Sequence, residues 1–218
     1  MYHQILRSLA PRAVAELLLV RFMKRFASAV LIFTSFAISL GAAERTVSPR
    51  TSWSKDSATG TWVHDPTGIS LPKSIARFKQ KSAEPYYKDG TGIFSYTNER
   101  GVITLYLGHR SIEGYAGKDD CTAAVRDNYV REIRQNFGKA DSEASFRLKF
   151  QRGNRQASGV GSRYHFVSVP EFSGDPAYSE VGVVLIGDYL YYYRATFFDK
   201  AGLGDLDAFL HTIGMKKI

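Results

Sequence analysis

The chain carries nucleophiles, bases and metal-ligand residue types, so their spacing decides which chemistry is open to them. Cys121 is its only cysteine, which excludes an intramolecular disulfide. A thiol dyad would need His64, His109 or His165 beside it, and a first-turn helical position would favour the thiolate. Asp119 and Asp120 adjoin Cys121 and oppose that charge, and its place on an apolar stripe predicts core packing instead. Serine hydrolase chemistry needs a nucleophile on a tight G-x-S-x-G elbow, and Gly159-Val160-Gly161-Ser162 puts its serine in the wrong place. Ser52-Trp53-Ser54-Lys55 fits S-x-x-K, but it falls in a Ser/Thr/Pro-rich stretch where no helix is expected to hold Lys55 against the serine. His64, His109, His165 and His211 show no H-x₃-H or H-E-x-x-H spacing. The text GVGSR lacks the later glycine, helix and lysine of a phosphate cradle. No catalytic residue, metal site or cofactor is assigned on these grounds.

Two surfaces remain as binding candidates. Arg147, Lys149, Arg152, Arg155 and Arg163 fall on neighbouring strands and their loop, a basic face suited to anionic envelope polymers or lipid head groups. A solvated sheet face accounts for the same residues. Tyr189, Tyr191, Tyr192 and Tyr193 place aromatics on both faces of one strand, and Tyr192 beside Arg194 is a candidate recognition surface. A second packed layer predicts the same pattern.

The N-terminal region sets the compartment. Met23-Lys24-Arg25, the uncharged run FASAVLIFTSFAISL and the small exit Gly41-Ala42-Ala43 read as a signal peptide over 23–43, with cleavage expected after Ala43 and next after Ala42. The alternative is a retained anchor. The 18 uncharged residues from Phe26 to Ala43 stand at the lower edge of the roughly 20 that span a bilayer, and Ser28, Thr34, Ser35 and Ser39 dilute them. No cysteine follows the run, which excludes lipid modification there. Residues 1–22 are either an extended n-region or lie upstream of a true start at Met23. The formal charge of +8 falls to +4 without residues 1–43, a balance that does not by itself point to nucleic acid. No membrane span is expected after cleavage.

The elements that must position the candidates follow from periodicity. Residues 44–60, rich in Ser, Thr, Pro and charge, read as a flexible lead-in, and 61–218 as a single domain with order beginning near Trp62. Lys73–Phe78 is expected as one helical turn. Gly92–Tyr96 and Val102–Gly108 pair as strands, the second alternating strictly. Cys121, Val125, Tyr129, Ile133 and Phe137 recur every four residues, predicting a helix capped by Asp119 or Asp120 and stopped at Gly138. Ala144–Gln151 alternates, Arg152–Gly159 reads as loop, and a strand follows near Ser162–Val169. Ser179–Ile186 and Tyr189–Phe198 flank the turn Gly187-Asp188. A last short helix is expected from a cap at Asp205 to Gly214. Short loops between strands and two amphipathic helices predict an α+β domain, an antiparallel sheet with helices packed on it.

The segments HDPTGISLPKSIARF (64–78), GIFSYTNERGVITLYL (92–107) and YLYYYRATFFDKAGLGDLDAFLHTIG (189–214) resemble a poorly characterised group of exported bacterial domains. Their plan is similar to the PsbP-like α/β/α sandwich. The resemblance covers most of residues 62–214 as a layout rather than a residue motif. It implies a non-catalytic binding or assembly module. The expectation is therefore an exported, periplasmic or extracellular, non-enzymatic domain that binds an envelope protein or an anionic envelope polymer, with Tyr192, Arg194, Arg147 and Lys149 as binding candidates. Two alternatives stay open: a hydrolase-like enzyme with a site assembled from distant residues, and a carrier of a small apolar ligand.

Overall fold

The structure is a computed structural model that describes residues 52–86, 90–111, 113–115, 121–169, 172 and 174–218. The signal-peptide segment 23–43 and the cap candidates Asp119 and Asp120 lie outside the described residues.

Strand pairing dominates. A small antiparallel sheet joins β1 (Trp53–Lys55), β2 (Trp62–His64) and β3 (Ile69–Leu71). Nine further strands form one antiparallel sheet: β4 (Ser74–Ile75), β5 (Phe78–Pro85), β6 (Gly92–Asn98), β7 (Gly101–His109), β8 (Ser142–Arg152), β9 (Arg155–Phe166), β10 (Ala177–Ile186), β11 (Tyr189–Phe197) and β12 (Met215–Lys217). Their spatial order is β12-β8-β9-β10-β11-β7-β6-β5-β4. Two helices occur among the described residues, α1 (Cys121–Phe137) and α2 (Ala201–Thr212).

The expected α+β sandwich is overturned. Of the described residues 52% are strand and 19% helix, and the sheet curls into an antiparallel half-barrel rather than serving as the flat middle of a layered sandwich. Segments read as helix or loop are strand. Residues 73–78, expected as a helical turn, make the β4–β5 hairpin, in which Ile75 pairs with Phe78 around Ala76 at φ 52°. The expected loop 152–159 shrinks to a two-residue turn, because Arg152 already pairs with Arg155. Of the lead-in assigned to 44–60, the described residues from 52 onward take part in the fold: Trp53 is buried, and its indole N–H donates to the carbonyl of Thr91 at 2.9 Å.

Register defines the two faces. Phe146, Gly161, Gly182, Tyr193, Leu105 and Phe94 stand in one cross-strand row on the inner face. The sheet curls around α2, whose Phe209 meets Phe78 and Tyr96 edge-on at 5.4 and 5.1 Å. Gly161 and Gly182 face each other across β9 and β10, and a Cβ on either would strike the rings of Phe146 or Tyr193. The helix α2 begins earlier than expected. Asp199 accepts the N–H of Gly202 at 3.0 Å, while Asp205 lies inside the helix and binds Asn98 at 3.2 Å and Arg100 at 3.5 Å. Asp205 is thus a tether to the β6–β7 turn and not the cap. The four-residue spacing does mark α1, which Gly138 ends at φ 80°.

Candidate binding face and groove

All four binding candidates lie on one face of the sheet, the outer one. Arg147, Val160, Val183, Tyr192 and Tyr106 form one row, and Ser145, Ser162, Val181 and Arg194 form the next. What separates them is α1, which packs across β9 and β10. Beneath that helix Tyr192 is 6% and Arg194 8% exposed. Tyr192 stacks on Tyr106 at 4.9 Å and meets Tyr129 of α1 at 5.1 Å. Burial pushes the phenols of Tyr129 and Tyr192 well up and raises that of Tyr106. Arg194 sits 5.9 Å over the Phe137 ring. Burial lowers its pKa, opposed by the charge of Glu132, and burial likewise raises the carboxyl of Glu132. Tyr192 and Arg194 are therefore packed between sheet and helix.

Arg147 and Lys149 are exposed. Their alternation with the buried Leu148 and Phe150 turns both to the outer face, where their register partners on β9 are Val160 and Ser158. On the other side Lys149 stands directly opposite the exposed Lys216 of β12, a strand the sequence did not reveal. Among the described residues no carboxylate pairs with Arg147, Lys149 or Lys216.

The rest of the expected basic face divides. Arg163 turns to the inner face, where its Nε donates to Glu180 at 2.8 Å. Arg155 reaches back to the carbonyl of Asp65 at 3.3 Å. Glu180 is fully buried and also accepts from the Tyr193 hydroxyl at 2.6 Å and from Lys217 Nζ at 2.8 Å.

Next to Arg147, where the edge of α1 on β9 faces β8, a groove of about 450 Å³ opens. Arg126, Arg131 and Arg134 border it from the helix, and Ser145, Ser162 and Tyr164 from the sheet. Arg134 binds Glu143 at 2.7 Å, and Glu143 also accepts from the Tyr164 hydroxyl at 2.9 Å. Arg126 folds onto Asp127 at 2.6 Å. The hydrogen bond of Arg131 is to the Asn128 side chain at 3.5 Å, so its charge meets no carboxylate among the described residues. No sequence signal marks this groove, because its helix and strand residues converge only through packing.

The residues weighed for catalysis are spread out. Cys121 is buried against Val125, Val183, Leu190 and Tyr192. His64 is buried between Trp53 and Tyr189, and its Nδ1 lies 2.9 Å from the Thr67 hydroxyl. Desolvation pushes its pKa down to about 3. His109 Nδ1 lies 2.6 Å from the Ser111 hydroxyl in an exposed turn, and His165 stacks on Tyr178. Among the described residues no three His, Cys, Asp or Glu stand together as a metal-binding group, and no helix is long and apolar enough to cross a membrane. Comparison with known protein-family models finds no match, and comparison with curated proteins finds none either.

Proposed function

We propose that this is an exported, non-enzymatic domain that binds an anionic component of the cell envelope through the outer face of β8 and β12. The observation that carries the reading is the Lys149–Lys216 pair with Arg147 next to it on the same face. Like charges directly opposite in a sheet oppose folding, so a cluster of three without carboxylate partners among the described residues is a stability cost that an external anion would relieve. The charge pattern of residues 23–43 supports delivery to a compartment where such polymers occur. The face is open and strand-borne, which suits an extended ligand better than a small enclosed one.

The test is calorimetric titration of the 44–218 chain with polygalacturonate at low and high salt. Wild type is expected to bind and to weaken as salt rises. The triple variant Arg147→Gln, Lys149→Gln, Lys216→Gln is expected to lose binding while its far-UV spectrum is retained. Undiminished binding by that variant would overturn the assignment.

A further inference from the structure

We infer that the groove between α1 and β8 seats one acidic sugar unit of the bound polymer, an inference that rests on the β8 face being the binding surface. Ser145 lines the groove and is the next outer-face residue of β8 before Arg147. Alternate strand residues are spaced about 6.8 Å apart, so a chain leaving the groove at Ser145 passes Arg147 and then Lys149 and Lys216 without turning. Groove and basic face are thus one continuous track.

The lining selects the class of ligand. Arg131, whose charge meets no carboxylate among the described residues, offers a planar fork matched to a carboxylate or phosphate. A bare anion would need only that. The groove also presents Gln135 and Ser145, above the buried Ser162, together with the carboxylates of Asp127 and Glu143. Carboxylates repel an unadorned polyanion, but they accept hydrogen bonds from hydroxyl groups. A mixed set of cation, amide, hydroxyl and carboxylate suits a ligand that is both anionic and hydroxylated. Val130, 8% exposed, supplies a small apolar contact for the C–H face of a sugar ring, and the fully buried Tyr164 lies beneath it. The volume of about 450 Å³ falls in the range of small-molecule sites.

The experiment titrates the 44–218 chain with three probes: hexagalacturonate, inorganic polyphosphate, and vesicles of phosphatidylglycerol in phosphatidylcholine. Hexagalacturonate is expected to bind best and to shift amide resonances in both α1 and β8. Arg131→Gln, and separately Ser145→Tyr, are expected to weaken it about tenfold, with amide spectra showing the fold intact. If the triple variant on the basic face abolishes hexagalacturonate binding while both groove variants bind normally, the groove inference falls and the binding face stands. Tighter binding of polyphosphate or vesicles than of hexagalacturonate overturns the sugar class. If none of the three probes binds, the reading of the face falls and the groove with it.

Discussion

Arg147 and Tyr192 stand in the same row on the same face of the sheet, with Val160 and Val183 between them. Three interstrand spacings put their backbones about 14 Å apart. Yet one side chain is in solvent and the other is 6% exposed. The helix α1 covers the row as far as β9 and leaves β8 open. The boundary between core and exposed surface is therefore drawn by where one helix lies, within a single row of strand residues.

That boundary predicts opposite phenotypes from the two residues. Tyr192→Ala empties the space between Tyr106 and Tyr129 and is expected to cost about 3–5 kcal/mol. Arg147→Gln is expected to move stability by less than about 0.5 kcal/mol while weakening polygalacturonate binding. Urea unfolding of both variants checks this; equal destabilisation would contradict the placement of α1.

How far the fold was legible follows from the same residues. The alternation of Phe146, Leu148 and Phe150 with Arg147 and Lys149 was readable because one face of β8 is buried and the other wet. Residues 155–161, RQASGVG, gave no strand signal. They are strand because β8 and β10 pair with them on both sides, and because Gly161 leaves room for the Phe146 ring. That requirement is tertiary, so local propensity does not carry it. The helix periodicities were real, but they led to a layered α+β expectation because the length and curl of the sheet were invisible. Of the proposed binding face, Arg147 and Lys149 stand out in the sequence by their alternation with buried residues. Lys216 and the α1 arginines needed the register of β12 and the docking of α1.

The close approach at the glycine pair is itself testable. In Gly182→Ala the new methyl group meets the Tyr193 ring and the Leu148 side chain, both fully buried. The expected loss is about 1–3 kcal/mol, read as a lower denaturation midpoint. Gly153→Ala isolates the packing effect. Its site has φ 57° with nothing near the added carbon, so only backbone strain remains there.

His64 sets a pH dependence. Its folded pKa is pushed down to about 3, while the unfolded chain protonates near the ordinary value of 6.5. Above that value both states are neutral and the residue contributes no slope. Below it the unfolded state binds a proton that the folded state refuses, so stability falls as pH drops from 6.5 toward about 3, by up to about 1.4 kcal/mol per pH unit. Urea midpoints at pH 7 and pH 5 measure the loss. His64→Phe is expected to flatten it, and an unchanged slope in that variant would assign the effect elsewhere.

Glu180 places a charged constraint on the inner face. Its carboxylate is fully buried and holds Arg163, Lys217 and the Tyr193 hydroxyl at 2.6–2.9 Å, and Lys217 also reaches Asp207 of α2. β12 pairs with β8 at only three positions, so the lysine contact adds a second attachment for that short strand. Glu180→Gln keeps the shape but leaves two cations with no buried counter-charge, and it is expected to cost about 3–5 kcal/mol. Lys217→Met removes one cation together with its desolvation cost and is expected to cost less. Its distinct signature would be faster amide exchange in Met215–Lys217 with the rest of the sheet still protected. Because Lys216 belongs to that strand, Lys217→Met should also weaken polygalacturonate binding, although Lys217 itself turns away from the outer face. Loss of binding together with faster exchange in β12 would show that Glu180 holds the basic face in place from the opposite side of the sheet.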